Sequence, residues 1–254
     1  MKEELLEQLQ YDLLELGVRP GGVLLVHSSL RALGHVPGGA ETIIQGLRTA
    51  VGDDGTLLMP ALTYETVTSN APVFDVRQTP ANVGIIPETF RQQPDVQRSV
   101  HPTHSVCGVG PLAAALLLPH MEDETLCGVH SPFHTLPAHN GQILMLGCGL
   151  RPNTSMHALE ELVMPPYLFG SPIDYQLVLA DGTMLEKRYV SHNFRGWVQR
   201  YDRVTDCLAA PGLRQGQVLA AEAFLLEATM LWTAVLPVLS RDPLYFVDAY
   251  AAAD

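Results

Sequence analysis

The sequence predicts an α/β fold: a single domain over residues 1–254, with a central mixed, largely parallel sheet flanked by helices and a C-terminal antiparallel hairpin. Three observations carry this reading. From the N-terminus the segments alternate helix, strand, helix, strand, the order that builds a parallel sheet. The strand-like segments at 23–27, 56–59 and 142–146 are short apolar runs of the length expected for buried strands. Asp181-Gly182 then stands between two alternating runs at 175–179 and 184–189, a strong hairpin signal. That antiparallel piece is expected to join the sheet.

Residues 3–16 carry leucines at 5, 6, 9, 13, 14 and 16 with Glu and Gln between them, an amphipathic helix that Gly17 ends. After the first strand comes His27-Ser28-Ser29-Leu30, at the strand end where α/β folds place ligands. A simple turn or helix cap is an equal reading of those serines. Gly38-Gly39 opens a helix over 40–50, closed by Gly52-Asp53-Asp54-Gly55, and residues 63–77 read as a long irregular loop. Helices follow at 84–92 and 112–117, and Ser131 is placed to cap a short helix with Pro132 in its first turn. After the strand at 142–146, Gly147 and Gly149 break the run. Asn153 and Ser155 are both N-cap residues for a helix ending before Pro165. Residues 194–205 read as helical, 217–225 as the last strand and 227–239 as an apolar helix in which Trp232 belongs to the core. No repeat or linker divides the chain.

Composition narrows the function. With 27 acids against 15 bases the net charge is −12, so nucleic acid is excluded as a partner, because phosphate neutralisation needs clustered Lys and Arg. A cationic small molecule suits an acidic protein better. No apolar run reaches bilayer length, and the acidic amphipathic N-terminus is unlike a secretory signal. Cys107, Cys127, Cys148 and Cys207 are scattered without C-x-x-C pairs, which suits reduced thiols in the cytoplasm. The apolar C-terminal helix and residues 244–253 offer a surface for a homodimer.

The chemistry centres on the strand–loop–helix stretch 141–165. His157 falls in the first turn of the helix, with Glu160 and Glu161 three and four residues on, which stacks a carboxylate over the imidazole. An oriented titratable ring at such a place suits a general base. On residue types alone a surface His–Glu pair of small energetic consequence is the other reading. His101 and His104 flank Pro102 without an Asp or Glu nearby in sequence to complete a metal set, so ligand contact or loop packing suits them, and no metal site is assigned. The 101/104 and 130/134 histidine pairs nonetheless keep a metal-dependent hydrolase as an alternative, and a non-catalytic binder is a third.

Seven ordered segments go further: V-H-S-S-L at 26–30, G-G-A at 38–40, V-G-D-D-G-T-L-L-M-P at 51–60, R-S-V-H-P-T-H-S-V at 98–106, G-V-H-S-P-F-H-T-L at 128–136, I-L-M-L-G at 143–147 and N-T-S-M-H-A-L-E at 153–160. Through them the chain resembles the aminoglycoside 3-N-acetyltransferase family over roughly residues 20–250. The resemblance implies transfer of acetyl from acetyl-coenzyme A to an amine, the 3-amino group of an aminoglycoside's 2-deoxystreptamine ring, or a different amine by the same mechanism. It implies His157 as the base, with Glu160 orienting the ring or holding the substrate ammonium. It places Ser28, Ser29 and Leu30 at the cofactor, with their turn as a candidate oxyanion donor, and Ser99, Val100, His101 and Phe133 on the cofactor side. Composition, not motif, nominates Tyr64, Glu65, Glu122, Asp123, Glu161 and Asp202 for an acidic pocket around a polycation. His192 and Arg195 follow the hairpin where many relatives show an acidic Tyr-Asp segment, and two basic groups there repel a polycation if they point inwards.

Overall fold

The structure, a computed structural model, describes residues 2–250. Its elements run α1 (Lys2–Leu16), β1 (Val23–Ser28), α2 (Gly39–Val51), β2 (Thr56–Pro60), β3 (Val73–Asp75), α3 (Ile85–Arg91), β4 (Gln97–Arg98), β5 (Val106–Val109), α4 (Ala113–Leu117), α5 (Pro132–Thr135), β6 (Gln142–Leu146), α6 (Ser155–Val163), β7 (Phe169–Val178), β8 (Met184–His192), β9 (Trp197–Gln199), β10 (Leu213–Val218), β11 (Ala221–Glu227), α7 (Ala228–Arg241) and β12 (Val247–Ala249). The far ends of the 1–254 span, and residues 251–253 of the stretch suggested for dimerisation, lie outside the described residues.

The main sheet has the order β10-β11-β6-β1-β2-β5-β4. Its centre is parallel, β6 beside β1 beside β2, and antiparallel strands extend it on both sides. Alternation along the central strands builds a core on each face. Leu24 and Val26 of β1, with Leu144 and Leu146 of β6, pack against Leu9 and Leu13 of α1 and Ile43, Ile44 and Leu47 of α2. Val23 and Leu25, with Ile143 and Met145, face Met156 and Leu159 of α6 and Leu231, Val235 and Leu239 of α7. Each such buried aliphatic side chain contributes about 1.5–3 kcal/mol relative to exposure, so the nine named on each face hold helices that isolated peptides of their length would not keep. The same alternation puts His27 on the α6 side of the sheet.

Four expectations change. The 175–189 hairpin forms, as β7 and β8, but with β3 it makes a separate three-stranded sheet in the order β3-β7-β8 rather than joining the main one. Tyr175, Leu177 and Tyr189 close this sheet over Phe74 in a core of their own, a partner that local pattern does not reveal. The main sheet takes its antiparallel hairpin from β10 and β11 instead, and Leu219 turns the chain between them in a left-handed conformation (φ 52°). The last strand read at 217–225 thus spans that turn. Residues 194–205 are not a helix: β9 pairs with β12, and a 3₁₀ turn follows over Tyr201–Asp206. Gly196 at φ 81° interrupts the helical pattern. β3 also breaks the loop expected at 63–77.

Candidate active site

The parallel strands β6, β1 and β2 end together, and the loops that leave them enclose a cavity of ≈ 330 Å³. Its walls come from His27 and Ser28 at the end of β1, Pro60 and Leu62 after β2, residues 148 and 151–154 between β6 and α6, His157 on α6, His104, His192 at the tip of β8, and Gln199 and Tyr201. The sharp exit from β6 depends on Gly147. It sits at φ 72°, and a Cβ there would lie 2.6 Å from that of Ala32. The N-cap position of α6 falls on Thr154 rather than on Asn153 or Ser155, and Asn153 just ahead of it accepts a hydrogen bond from the N–H of Ser155 through Oδ1 at 3.1 Å. That bond braces the turn that carries His157.

His157 is buried, with only its cavity-facing edge open. Its Nδ1 lies 2.8 Å from Oε2 of Glu160 and 3.0 Å from the Tyr201 hydroxyl. Glu160 is fully buried and also accepts from the Tyr201 hydroxyl at 2.9 Å and, on Oε1, from the Tyr167 hydroxyl at 2.7 Å. Two phenols therefore donate to one carboxylate, whose remaining demand is met by the imidazole N–H. With Nδ1 as the donor, Nε2 carries the ring's lone pair on the side left for the cavity. Burial, reinforced by the Glu160 carboxylate, raises the pKa values of both tyrosines, so they remain donors.

Two further imidazoles meet this ring. The His192 centroid is 4.5 Å from that of His157 and 4.7 Å from that of His104, while His104 and His157 are 6.0 Å apart. Burial, with the neighbouring histidines acting in the same direction, pushes His104 and His192 well below the usual histidine range, and burial pushes His27 down to about 3. These rings are neutral near pH 7. The one guanidinium in the wall, Arg151, donates from Nε to Asp202 at 3.1 Å.

Of the residues expected at the site, His157, Ser28 and Tyr64 line the cavity, and Glu160 sits directly behind His157. Ser28 Oγ has no protein partner. The Ser29 N–H is committed to the Leu146 carbonyl at 2.9 Å, which removes it as an oxyanion donor, and Leu30 opens a 3₁₀ turn outside the walls. Four residues expected on the cofactor side lie elsewhere. Ser99 Oγ is bonded to His120 Nδ1 and accepts from the Val106 N–H, and Val100 packs on the small-sheet core. His101 accepts from the N–H groups of Thr103 and His104 and reaches the Thr125 carbonyl, and Phe133 is wholly buried beneath α6. Their polar atoms are used internally, which a sequence motif does not disclose.

The expected acidic wall also resolves differently. Glu161 accepts from the Thr125 hydroxyl and the Cys127 N–H, so it braces the loop before α5. Asp123 accepts from the His130 N–H, Glu122 is exposed near the same ring, and Glu65 is exposed beside Tyr64. Asp202 approaches the rim through Arg151, and Arg200 and Arg151 hold its pKa below the usual carboxylate range. Arg195 is exposed and outside the walls. Sequence reasoning missed Tyr201, Tyr167 and the inward face of His104. Tyr201 carried a signal only as an aromatic just beyond the hairpin, and nothing local tied it to residue 157.

A sequence model of the family described as aminoglycoside 3-N-acetyltransferase matches residues 25–240. An aminoglycoside N(3)-acetyltransferase IV from a Salmonella species is 33% identical, over 97% of this chain and 90% of its own. Among solved structures, a histidine-to-alanine mutant of the aminoglycoside acetyltransferase AAC(3)-IVa in complex with a gentamicin superposes with a TM-score of 0.78 at 32% identity, covering 94% of this chain and 90% of that one. AAC-IIIb in a binary complex with CoASH superposes with a TM-score of 0.79 at 27% identity, covering 93% and 97%.

Proposed function

The chain belongs to the aminoglycoside 3-N-acetyltransferase family, and on that premise we propose that it moves the acetyl group of acetyl-coenzyme A onto the 3-amino group of an aminoglycoside, with His157 as general base. The observation that carries the residue assignment is the buried His157–Glu160 pair, which leaves Nε2 as the ring's free nitrogen beside the cavity. An ammonium has no lone pair, so a proton must leave the nitrogen before or as it attacks the thioester. Nε2 of His157 accepts that proton, and Glu160 stabilises the resulting imidazolium through Nδ1–H. The new C–N bond forms, the C–S bond breaks, and the departing thiolate takes a proton back from the ring. The nitrogen's second proton is lost to solvent.

Ser28 suits the oxyanion, since its hydroxyl is at the cavity with no protein partner. Glu160 acts here as a positioning residue: both its oxygens are occupied by His157, Tyr201 and Tyr167, so it does not reach a substrate ammonium. A polycation meets lone pairs of neutral rings in the wall rather than the repulsion anticipated from His192 and Arg195. Four free cysteines support a reducing compartment such as the cytoplasm, and among the described residues no helix is long and apolar enough to cross a membrane.

The test is incubation with acetyl-coenzyme A and a panel of aminoglycosides, following thiol release and locating the added acetyl group by mass spectrometry and NMR. Stoichiometric thiol and a singly acetylated 3-amino group are expected. Folded protein that releases no thiol with any aminoglycoside overturns the reading.

A further inference from the structure

The acetyl-transfer scheme uses one imidazole of the three that converge in the cavity. One nitrogen from each of His104, His157 and His192 lies within 4.8 Å of the other two. On His157 Nδ1 is bonded to Glu160, and on His104 Nδ1 is bonded to the Thr103 hydroxyl at 2.9 Å, which leaves Nε2 on both. The Nε2 of His192 is buried and has no hydrogen-bond partner. A buried ring nitrogen left without a partner beside two other imidazoles is costly unless something meets its lone pair or proton.

We propose that His104, His157 and His192 form a binding site for a divalent transition-metal ion of zinc's class, and that an ion held there blocks acetyl transfer. The blocking half rests on His157 as base, because metal and substrate proton compete for the same Nε2 lone pair. Three neutral imidazoles with an open fourth position match zinc, cobalt(II) or copper(II), and the absence of an oxygen set disfavours magnesium or calcium. The hydrogen bonds from Nδ1 of His157 to Glu160 and between Nδ1 of His104 and Thr103 are the outer contacts that orient metal-binding histidines. A tetrahedral ion at about 2.0–2.1 Å from each nitrogen draws the three to about 3.3 Å apart, so the rings turn inwards by roughly an ångström. His192, at the end of β8 with no Nε2 bond to break, is placed to make that movement. All three rings line the substrate cavity.

Chelator-stripped full-length protein is titrated with cobalt(II), following the visible absorption of tetrahedral cobalt, and with zinc by calorimetry. One equivalent should bind, and His104→Ala and His192→Ala should each weaken binding by at least the roughly 10–100-fold typical of losing an outer partner. If His104→Ala fails to fold, judged by circular dichroism, His192→Asn on the hairpin carries the test. Cys148→Ser, which removes the cavity's thiol, should leave binding unchanged. Zinc should also inhibit formation of acetylated product, read by mass spectrometry because the released thiol itself binds zinc, and each variant's inhibition is compared with its own metal-free rate. Absence of stoichiometric uptake, or uptake unchanged in both histidine variants, overturns the site. Uptake without inhibition, or with activation, overturns the blocking. Stoichiometric uptake by protein that acetylates no aminoglycoside contradicts the proposed function and leaves the metal site standing.

Discussion

Glu160→Gln is the sharpest perturbation of the catalytic geometry. The native carboxylate accepts three hydrogen bonds, from His157 Nδ1–H at 2.8 Å, Tyr201 at 2.9 Å and Tyr167 at 2.7 Å. A carboxamide of the same size has one accepting oxygen and two N–H donors, so three donors can no longer all be met. The repair that strands fewest groups turns the amide nitrogen towards His157, which moves the ring proton from Nδ1 to Nε2 and removes the lone pair from the cavity. General-base catalysis is worth about 10²–10⁴-fold, so kcat should fall on that order while KM for acetyl-coenzyme A stays within about twofold. Losing at least one hydrogen bond to a buried charge costs about 2 kcal/mol, or roughly 4–8 °C in Tm for a chain of this size. Steady-state thiol release, a thermal melt and ¹⁵N NMR of labelled histidine read the three effects. A kcat within about threefold of wild type, or a dead enzyme whose Nδ1 remains protonated, refutes the reasoning.

Other substitutions separate chemistry from packing. Tyr201→Phe removes the hydroxyl shared by His157 and Glu160 and should lower kcat by about tenfold with the fold retained; unchanged kinetics would show that Glu160 orients the ring alone. Phe133→Ala, at a fully buried core position, should cost about 3–5 kcal/mol in denaturant unfolding and leave KM for acetyl-coenzyme A unaltered in the folded fraction. A raised KM at wild-type stability would return Phe133 to the cofactor. Stability should also fall between pH 7 and 5. His27, His101, His104, His120 and His192 are held below their unfolded value of about 6.5, so below that pH the unfolded chain binds more protons and folding loses about 1.4 kcal/mol per pH unit for each such ring. Asp123 and Glu161, raised by burial, oppose this nearer their own range. Denaturation midpoints that are flat from pH 7 to 5 would contradict the burial of those rings.

How much of this was legible depended on the range of the forces involved. The strands at 23–27, 56–59 and 142–146 and the helix after Asn153 follow from local apolar runs and glycine breaks, so the elements could be read directly, while the side-by-side order that brings their ends together depends on long-range pairing. His157 and Glu160 were readable for the same reason, being three residues apart on one helix. Tyr201 was not, because it reaches the pair across 41 residues through a 3₁₀ turn set by the pairing of β9 with β12. Charge was the least readable property. His192 counts as a base in sequence, yet burial makes it neutral, and of the acids nominated for the pocket Glu161 and Asp123 are spent on loop N–H groups and a hydroxyl while Asp202 is held by arginines. Seating Ser99, His101 and Phe133 away from the cavity likewise required knowing which partners folding brings to them.

The central claim is that the imidazole of His157 takes the proton from the attacking amine. Acetyl transfer to aminoglycosides by His157→Ala, measured beside wild type at saturating acetyl-coenzyme A with circular dichroism to show equal folding, tests it directly. The rate should fall on the order of 10²-fold or more, with aminoglycoside binding by calorimetry largely retained. A variant that acetylates as fast as wild type would mean that another group removes the proton.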